Sequence, residues 1–173
     1  MCLYLFPTEL EAKPFRTLCP DAEVVISGVG MVATAATLLR LMGEGVIRSN
    51  NRVILAGVAG TYGDVEVGRV VEVVEERCSE LPERFQQSYR VEPTTSLRRV
   101  VSNTVHGKYS PILGASIENM EGAALFALAE VLGFRAVEIR AISNRVGESF
   151  DMWRMDEALE ALANELKKIE YAE

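Results

Sequence analysis

A handful of side chains in this 173-residue sequence could do chemistry, and each also has a plainer role. Asn144 ends the stretch Val137–Gly147, which reads as a buried strand running out into a polar loop. Open α/β sheets bind ligands at the carboxyl ends of such strands, so chemistry is sought there first, although Ser-Asn and Val-Gly pairs are also common turn material. Glu121 falls in the first turn of a helix, where a carboxylate complements the helix dipole. The same carboxylate could accept two hydrogen bonds from vicinal hydroxyls of a sugar. Glu9 and Glu11 follow Pro7-Thr8 at another helix start and suffice there as dipole-complementing charges. His106 is the only histidine and reads as a surface or structural imidazole beside a turn. No nitrogen, sulfur or clustered carboxylate ligands converge on it in sequence, so no metal site is expected. Cys2, Cys19 and Cys78 are odd in number and lack metal-like spacing, which leaves them as free thiols.

Two glycine stretches stand apart from these side chains. Gly28-Val29-Gly30 opens a helix with the form G-x-G-x-x-A, similar to a dinucleotide fingerprint. That fingerprint needs an acid at the end of the next strand to hold a ribose, and the strand from Arg52 ends in Ala56-Gly57 instead. The turn is therefore structural or a close-approach loop, and no nicotinamide or other cofactor is expected. Gly57-Val58-Ala59-Gly60 lies at the carboxyl end of its strand, either as a simple turn or as bare backbone against which a flat ligand could lie.

The elements that must hold these groups follow from hydrophobic period and punctuation. Strands are expected over Cys2–Phe6, Glu23–Ser27, Arg52–Ala56, Gly68–Val74, Arg98–Thr104 and Ala136–Ile142. Helices are expected from Pro7-Thr8 onward, from Met31 to Met42 with Gly43 as terminator, and from Met120 to Leu132. The last of these takes Ser116 to Asn119 as capping residues and an inward face of Ala123, Ala124, Ala127, Leu128, Val131 and Leu132. A final helix, Asp156 to Ile169, turns Leu159, Leu162, Ala163 and Leu166 inward. From Glu75 to Thr95 the pattern dissolves into charge, proline and glutamine, as in an exposed connection or a broken helix. Strands alternating with helices over residues 1–173 indicate one α/β domain with a mainly parallel or mixed sheet covered on both faces.

Composition narrows the classes of function. With 49% hydrophobic and 25% charged residues the chain reads as an ordinary globular protein. A net charge of −7 without any basic run argues against nucleic acid, because nothing would neutralise the phosphates. No apolar segment approaches the roughly 20 residues of a membrane span, and no leader-like amino terminus is present, so a cytoplasmic protein without membrane contact is expected.

Taken in order, the motifs resemble those of the nucleoside phosphorylase and nucleosidase family, nearest to its futalosine hydrolase branch. They are Thr8-Glu9-Leu10-Glu11, Gly28-Val29-Gly30-Met31, Gly57-Val58-Ala59-Gly60, Ser102–Gly107, Asn119-Met120-Glu121-Gly122-Ala123 and Arg140–Gly147. The resemblance implies a three-layer αβα fold around a twisted mixed sheet, usually a homodimer, that hydrolyses the N-ribosidic bond of a small nucleoside. It implies that Glu11 activates the attacking water and that Thr8 contacts the substrate. Met120 and Glu121 would meet the ribose and its 2′- and 3′-hydroxyls, and Arg140 would stand near the ribosyl site. Ala59 and Gly60 would flank the base, His106 would stack on it, and Ser143, Asn144 and Arg145 would form its recognition loop. Adenine-specific members of the family carry an aspartic acid where this chain has Asn144. An amide cannot deliver a proton as an acid, but its NH2 can donate to O6 or N7 of a 6-oxopurine. The implied substrate is futalosine, cleaved to hypoxanthine and dehypoxanthine futalosine in menaquinone biosynthesis. Its tail carboxylate would suit Arg145 or Arg154. The alternatives are a methylthioadenosine/S-adenosylhomocysteine-type nucleosidase, a purine nucleoside phosphorylase, or an inactive binding protein on the same fold. The chain departs from the family in being shorter by about 50 residues, mostly between Glu75 and Arg98, within the ordinary spread of domain sizes.

Overall fold

The computed structural model describes residues 2–107 and 114–172. Its strands are β1 (Cys2–Phe6), β2 (Val24–Ile26), β3 (Arg52–Thr61), β4 (Val70–Cys78), β5 (Gln87–Arg90), β6 (Arg98–Thr104), β7 (Ile117–Asn119) and β8 (Arg135–Arg145). Its helices are α1 (Glu9–Leu18), α2 (Met31–Gly43), α3 (Gly122–Leu132) and α4 (Met155–Glu170).

Strand side chains alternate between two cores, one on each face of the sheet. Leu3 and Leu5 of β1 and Val53 and Leu55 of β3 join Leu38 and Leu41 of α2 and Leu125 and Phe126 of α3. Tyr4, Phe6, Ile54 and Ala56 point the other way, onto Phe15 of α1 and Leu159, Leu162 and Leu166 of α4. The Phe15 ring lies 4.5 Å from that of Tyr4 and 5.9 Å from that of Phe6. Because both faces are covered, these strands read as near-continuous apolar runs. The layers are helix, sheet, helix, and the sheet is mixed, as expected from the sequence.

Among the described residues the strands form one sheet. β1 runs parallel between β2 and β3, and β3 runs parallel to β8. β8 is antiparallel to β4, β4 is parallel to β6, and β6 is parallel to β7. β7 returns antiparallel to β3, so β3, β8, β4, β6 and β7 close a ring. Closure removes free edges from β7 and β8, while β1 and β2 extend the sheet outward from β3.

Several boundaries differ from the sequence reading. β3 does not stop at Ala56 but runs to Thr61, taking Gly57 to Gly60 into the ladder opposite β8. β8 continues through Ser143 and Asn144 to Arg145, with both residues buried, because each keeps a partner in β3 or the adjoining chain. Ser116 to Asn119 is mostly strand β7 rather than a run of caps, and α3 begins at Gly122. The inward residues of α3 include Leu125, Phe126 and Ala129 while Val131 is exposed, since a helix apolar nearly all round shows no distinct stripe. α2 passes through Gly43, and the left-handed residue after it is Gly45, at φ 74°. The stretch from Glu75 is only in part the expected exposed connection: a turn with one short 3-10 segment at Glu83–Phe85 joins two strands. β4 extends to Cys78 and pairs with β5, because its charges find partners. Glu75 accepts from Arg77 and Arg90 at 2.7 Å each.

Candidate active site

Strand ends bring the chemical groups together, β1, β2 and β8 running parallel to β3 and β7 antiparallel to it. Glu11 follows β1, Gly30 follows β2, Glu121 follows β7 and Asn144 closes β8. The carboxyl ends of parallel strands are where open α/β sheets take ligands.

Thr8 caps α1, with its side-chain oxygen accepting from the Glu11 N–H at 3.3 Å. The two are three positions apart, the spacing of a capping box. The Glu11 carboxylate is turned partly away from that box. Its Oε2 accepts from the Thr8 hydroxyl at 2.7 Å, while Oε1 accepts from the Val58 N–H on β3 at 3.1 Å. Glycine at 57 permits this approach: a Cβ there would lie 2.8 Å from Nη1 of Arg140 and 2.9 Å from Oε1 of Glu11. A carboxylate has about four acceptor sites, so two remain for a water or a hydroxyl.

Arg140 is enclosed, with its side chain 1% exposed. Nε donates to Glu138 at 2.7 Å, Nη1 to the Val58 carbonyl at 3.4 Å, and Nη2 to Asn119 at 2.9 Å and to Glu121 at 3.1 Å. Burial works against its charge, but Glu138 and Glu121 more than offset this and hold the guanidinium above the ordinary arginine range. The other oxygen of Glu121 accepts from the Gly30 N–H at 2.8 Å, so the G-x-G turn fixes a carboxylate rather than a phosphate. Asn119 completes the frame by accepting from the N–H groups of Glu121 and Gly122 at 2.8 Å each.

Further along β8 the ladder to β3 shifts between Ala59 and Gly60: Ile142 opposes Ala59 and Asn144 opposes Gly60. Ser143 is the extra residue, and such bulges re-aim the side chains beside them. Its hydroxyl donates to Oδ1 of Asn144 at 2.8 Å, and Nδ2 of Asn144 donates to the Arg145 carbonyl at 3.0 Å. One amide hydrogen of Asn144 is left over. Gly60 lets these side chains approach its backbone, since a Cβ there would sit 3.1 Å from Cγ2 of Val146 and 3.3 Å from Nδ2 of Asn144.

The structure thus brings Thr8, Glu11, Arg140 and Glu121 into one connected frame, and groups Gly60, Ser143 and Asn144 at the bulge. Met120 lies half-exposed next to Glu121, while Ala59 is buried in the core. His106 stays outside the frame on the surface, its Nδ1 2.9 Å from a Glu80 oxygen. Arg145 is exposed with its N–H on Glu148, and Arg154 pairs with Glu157 at 3.6 Å. Glu76 and Glu138 have no role in the reading of the sequence, and Gly57 and Asn119 enter it only within a glycine stretch and as a helix cap. The signal for Glu138 was present, as a charge two residues before Arg140 on the same face of an otherwise apolar strand.

Comparison with known proteins bears on the family and the fold. The model of the phosphorylase superfamily matches residues 95–169. Futalosine hydrolase of Thermus thermophilus is 30% identical over 216 aligned positions, covering 98% of this chain and 95% of that protein. The alignment is longer than the 173-residue chain, so the relative carries segments this one lacks. In fold, the native futalosine hydrolase of Helicobacter pylori superimposes with a TM-score of 0.83 at 14% identity, covering 99% of this chain and 97% of that one. The methylthioadenosine/S-adenosylhomocysteine nucleosidase of the same organism, bound to butyl-thio-DADMe-Immucillin-A, gives 0.83 at 14% identity, covering 99% and 98%. With a superfamily match over its carboxyl-terminal half and a relative along nearly its whole length, the chain belongs to the phosphorylase superfamily, in the futalosine hydrolase family.

Proposed function

We propose that the protein hydrolyses the N-ribosidic bond of futalosine, releasing hypoxanthine and leaving dehypoxanthine futalosine, a step of menaquinone biosynthesis. The observation that carries this is the buried amide of Asn144 packed beside the bare backbone of Gly60. An NH2 there donates to O6 or N7 of a 6-oxopurine, whereas a 6-amino group would meet it donor to donor and leave buried polar groups unpaired at about 1–3 kcal/mol each. In the reaction the bond from C1′ to the purine nitrogen breaks with its electron pair going to the base, and the ribose gains oxocarbenium character. Asn144 stabilises the charge that spreads into the purine. Water adds to C1′ while Glu11 takes its proton as general base, and the departing base acquires a proton on nitrogen from solvent. Glu121 accepts from the 2′- and 3′-hydroxyls with the oxygen sites not taken by Gly30 and Arg140, and so aligns the sugar for attack. Arg140 acts from beneath. With four of its five donors engaged by protein groups, it has little left to seat the phosphate that a phosphorylase would need.

The protein works as a homodimer in the cytoplasm on this reading. Support for the dimer comes from the apolar outer face of α2, where Val32 and Leu39 are exposed. The activity is tested by incubating the protein with futalosine, inosine and methylthioadenosine, with and without phosphate, and identifying the released base by chromatography. Hypoxanthine from futalosine, independent of phosphate, is expected. Adenine release from methylthioadenosine with futalosine untouched, or strict phosphate dependence, would overturn the assignment.

A further inference from the structure

Below the catalytic groups lies a carboxyl pair that the chemistry above does not use. Glu76 of β4 and Glu138 of β8 are both fully buried. Glu76 accepts from Nδ2 of Asn119 at 2.5 Å and from the Thr104 hydroxyl at 2.7 Å. Glu138 accepts from Nε of Arg140 at 2.7 Å through Oε1, while its Oε2 meets no donor among the described residues. Both groups crowd one point, because a Cβ on Gly122 would collide with Oε1 of Glu76 and with Oε2 of Glu138. Those two oxygens therefore lie within about 5 Å of each other, a separation at which like charges disfavour ionisation. Ionised carboxylates only accept, so two of them cannot bond to each other. A single proton between them gives the orphaned oxygen its donor.

We propose that Glu76 is a positioning residue that carries this proton, donates through it to Oε2 of Glu138, and thereby holds Asn119 and Arg140 where they fix Glu121 for the ribose. The proposal rests on the reading that Glu121 binds the sugar. Charge balance supports it, since Glu11, Glu76, Glu121 and Glu138 gather round the single guanidinium of Arg140, and one neutral member leaves that guanidinium free to serve Glu121. The groups facing Glu76 are Ser102 and Thr104 of β6, Asn119 of β7, Glu138 and Arg140 of β8, with Tyr62 and Cys78 as the other titratable neighbours. Burial, reinforced by Glu138, raises the Glu76 carboxyl well above its ordinary range, and Thr104, Arg140 and Asn119 only partly offset this. A folded-state affinity for the proton above that of the unfolded chain contributes stability at low pH. That contribution falls as pH rises from the ordinary carboxylate range through the raised one.

The test compares wild type with Glu76→Gln, whose amide replaces the proton. Melting temperatures are measured from pH 5 to pH 9, with infrared spectra in the protonated-carboxyl region at neutral pH. The variant is expected to gain on wild type as pH rises, by at least about 3 °C at the alkaline end. Wild type is expected to show a neutral-carboxyl band that Glu76→Gln lacks. Should Glu76→Gln fail to fold, Glu138→Gln is measured in its place, since its amide can donate to Glu76 and is expected to give the same flattening and the same lost band. On the proposed substrate, Glu76→Ala is expected to lose about tenfold or more in kcat/KM, with Glu76→Gln restoring it and lacking the alkaline decline of wild type. A wild type without the band, or amide variants that track its stability at every pH, would overturn the proposal. Neither the band nor the melting curves need a substrate, so they fail or succeed separately from the assignment of activity.

Discussion

Glu11 is held by two donors that survive its conversion to an amide in shape if not in charge, the Val58 N–H and the Thr8 hydroxyl. Glu11→Gln is therefore expected to keep substrate binding within about threefold while turnover falls about 10²- to 10⁴-fold, the usual worth of a general base. Single-turnover rates beside calorimetric binding check this, and full activity would remove Glu11 from the mechanism. Gly57 is the quieter determinant. Adding its methyl in Gly57→Ala places carbon against Nη1 of Arg140 and Oε1 of Glu11, the working ends of both side chains. A displacement approaching 1 Å there is expected to lower kcat/KM about 10²-fold. Heat unfolding then checks that the variant stays folded. Glu11, Glu121 and Asn144 were legible in the sequence because their residue types stand at helix starts and a strand end. The inward roles of Asn119 and Glu76 were not, since a sequence shows that a polar residue is present but not that its partners, dozens of residues away, turn it inward.

At the level of elements, the least legible stretch is the one after β4 begins. Glu72, Glu75 and Glu76 interrupt the β-branched run, and alternating charge ordinarily means a solvated face. Here all three are buried. Glu72 shows how: its carboxylate accepts from the N–H and hydroxyl of Thr94 at 2.7 and 3.0 Å, and from those of Thr95 at 3.0 and 2.7 Å. One side chain thus pins the connection between β5 and β6 to the sheet. Glu72→Ala is expected to leave these donors to be rescued by water or lost, costing about 1–3 kcal/mol, with faster hydrogen exchange at the Thr94 and Thr95 amides than elsewhere in the sheet. Unchanged protection at both amides would show the connection to be held by something else. The glycine stretch in β3 misled for the opposite reason. Glycine usually marks turns, yet Gly57 and Gly60 are in a ladder because side chains from β8 and α1 need the room.

For the molecule as a whole, the layering was readable from the alternation of strands and helices, whereas the closed ring of β3, β8, β4, β6 and β7 was not, because which strands neighbour one another is a property of distant pairings. Layering also leaves something uncovered. α2 sends Leu38 and Leu41 into the core, but Val32, Ala36 and Leu39 recur at i, i+4 and i+7 on its outer side. Val32 is 81% exposed, Leu39 52%, and Val29 just ahead of the helix 54%. A helix apolar on both sides belongs in an interior, and an apolar stripe left on the surface marks an association site. The proposed dimer would cover it, since a two-fold axis lets one stripe pack on its own copy. Wild type is thus expected to travel at twice the mass of the 173-residue chain in light scattering at micromolar concentration. Val32→Asp combined with Leu39→Asp buries two unpaired charges in that interface and is expected to give the single-chain mass with the sheet signal in circular dichroism retained. A wild type that runs as a single chain, or a double variant that still runs as a pair, would mean that this face of α2 is not where two copies meet.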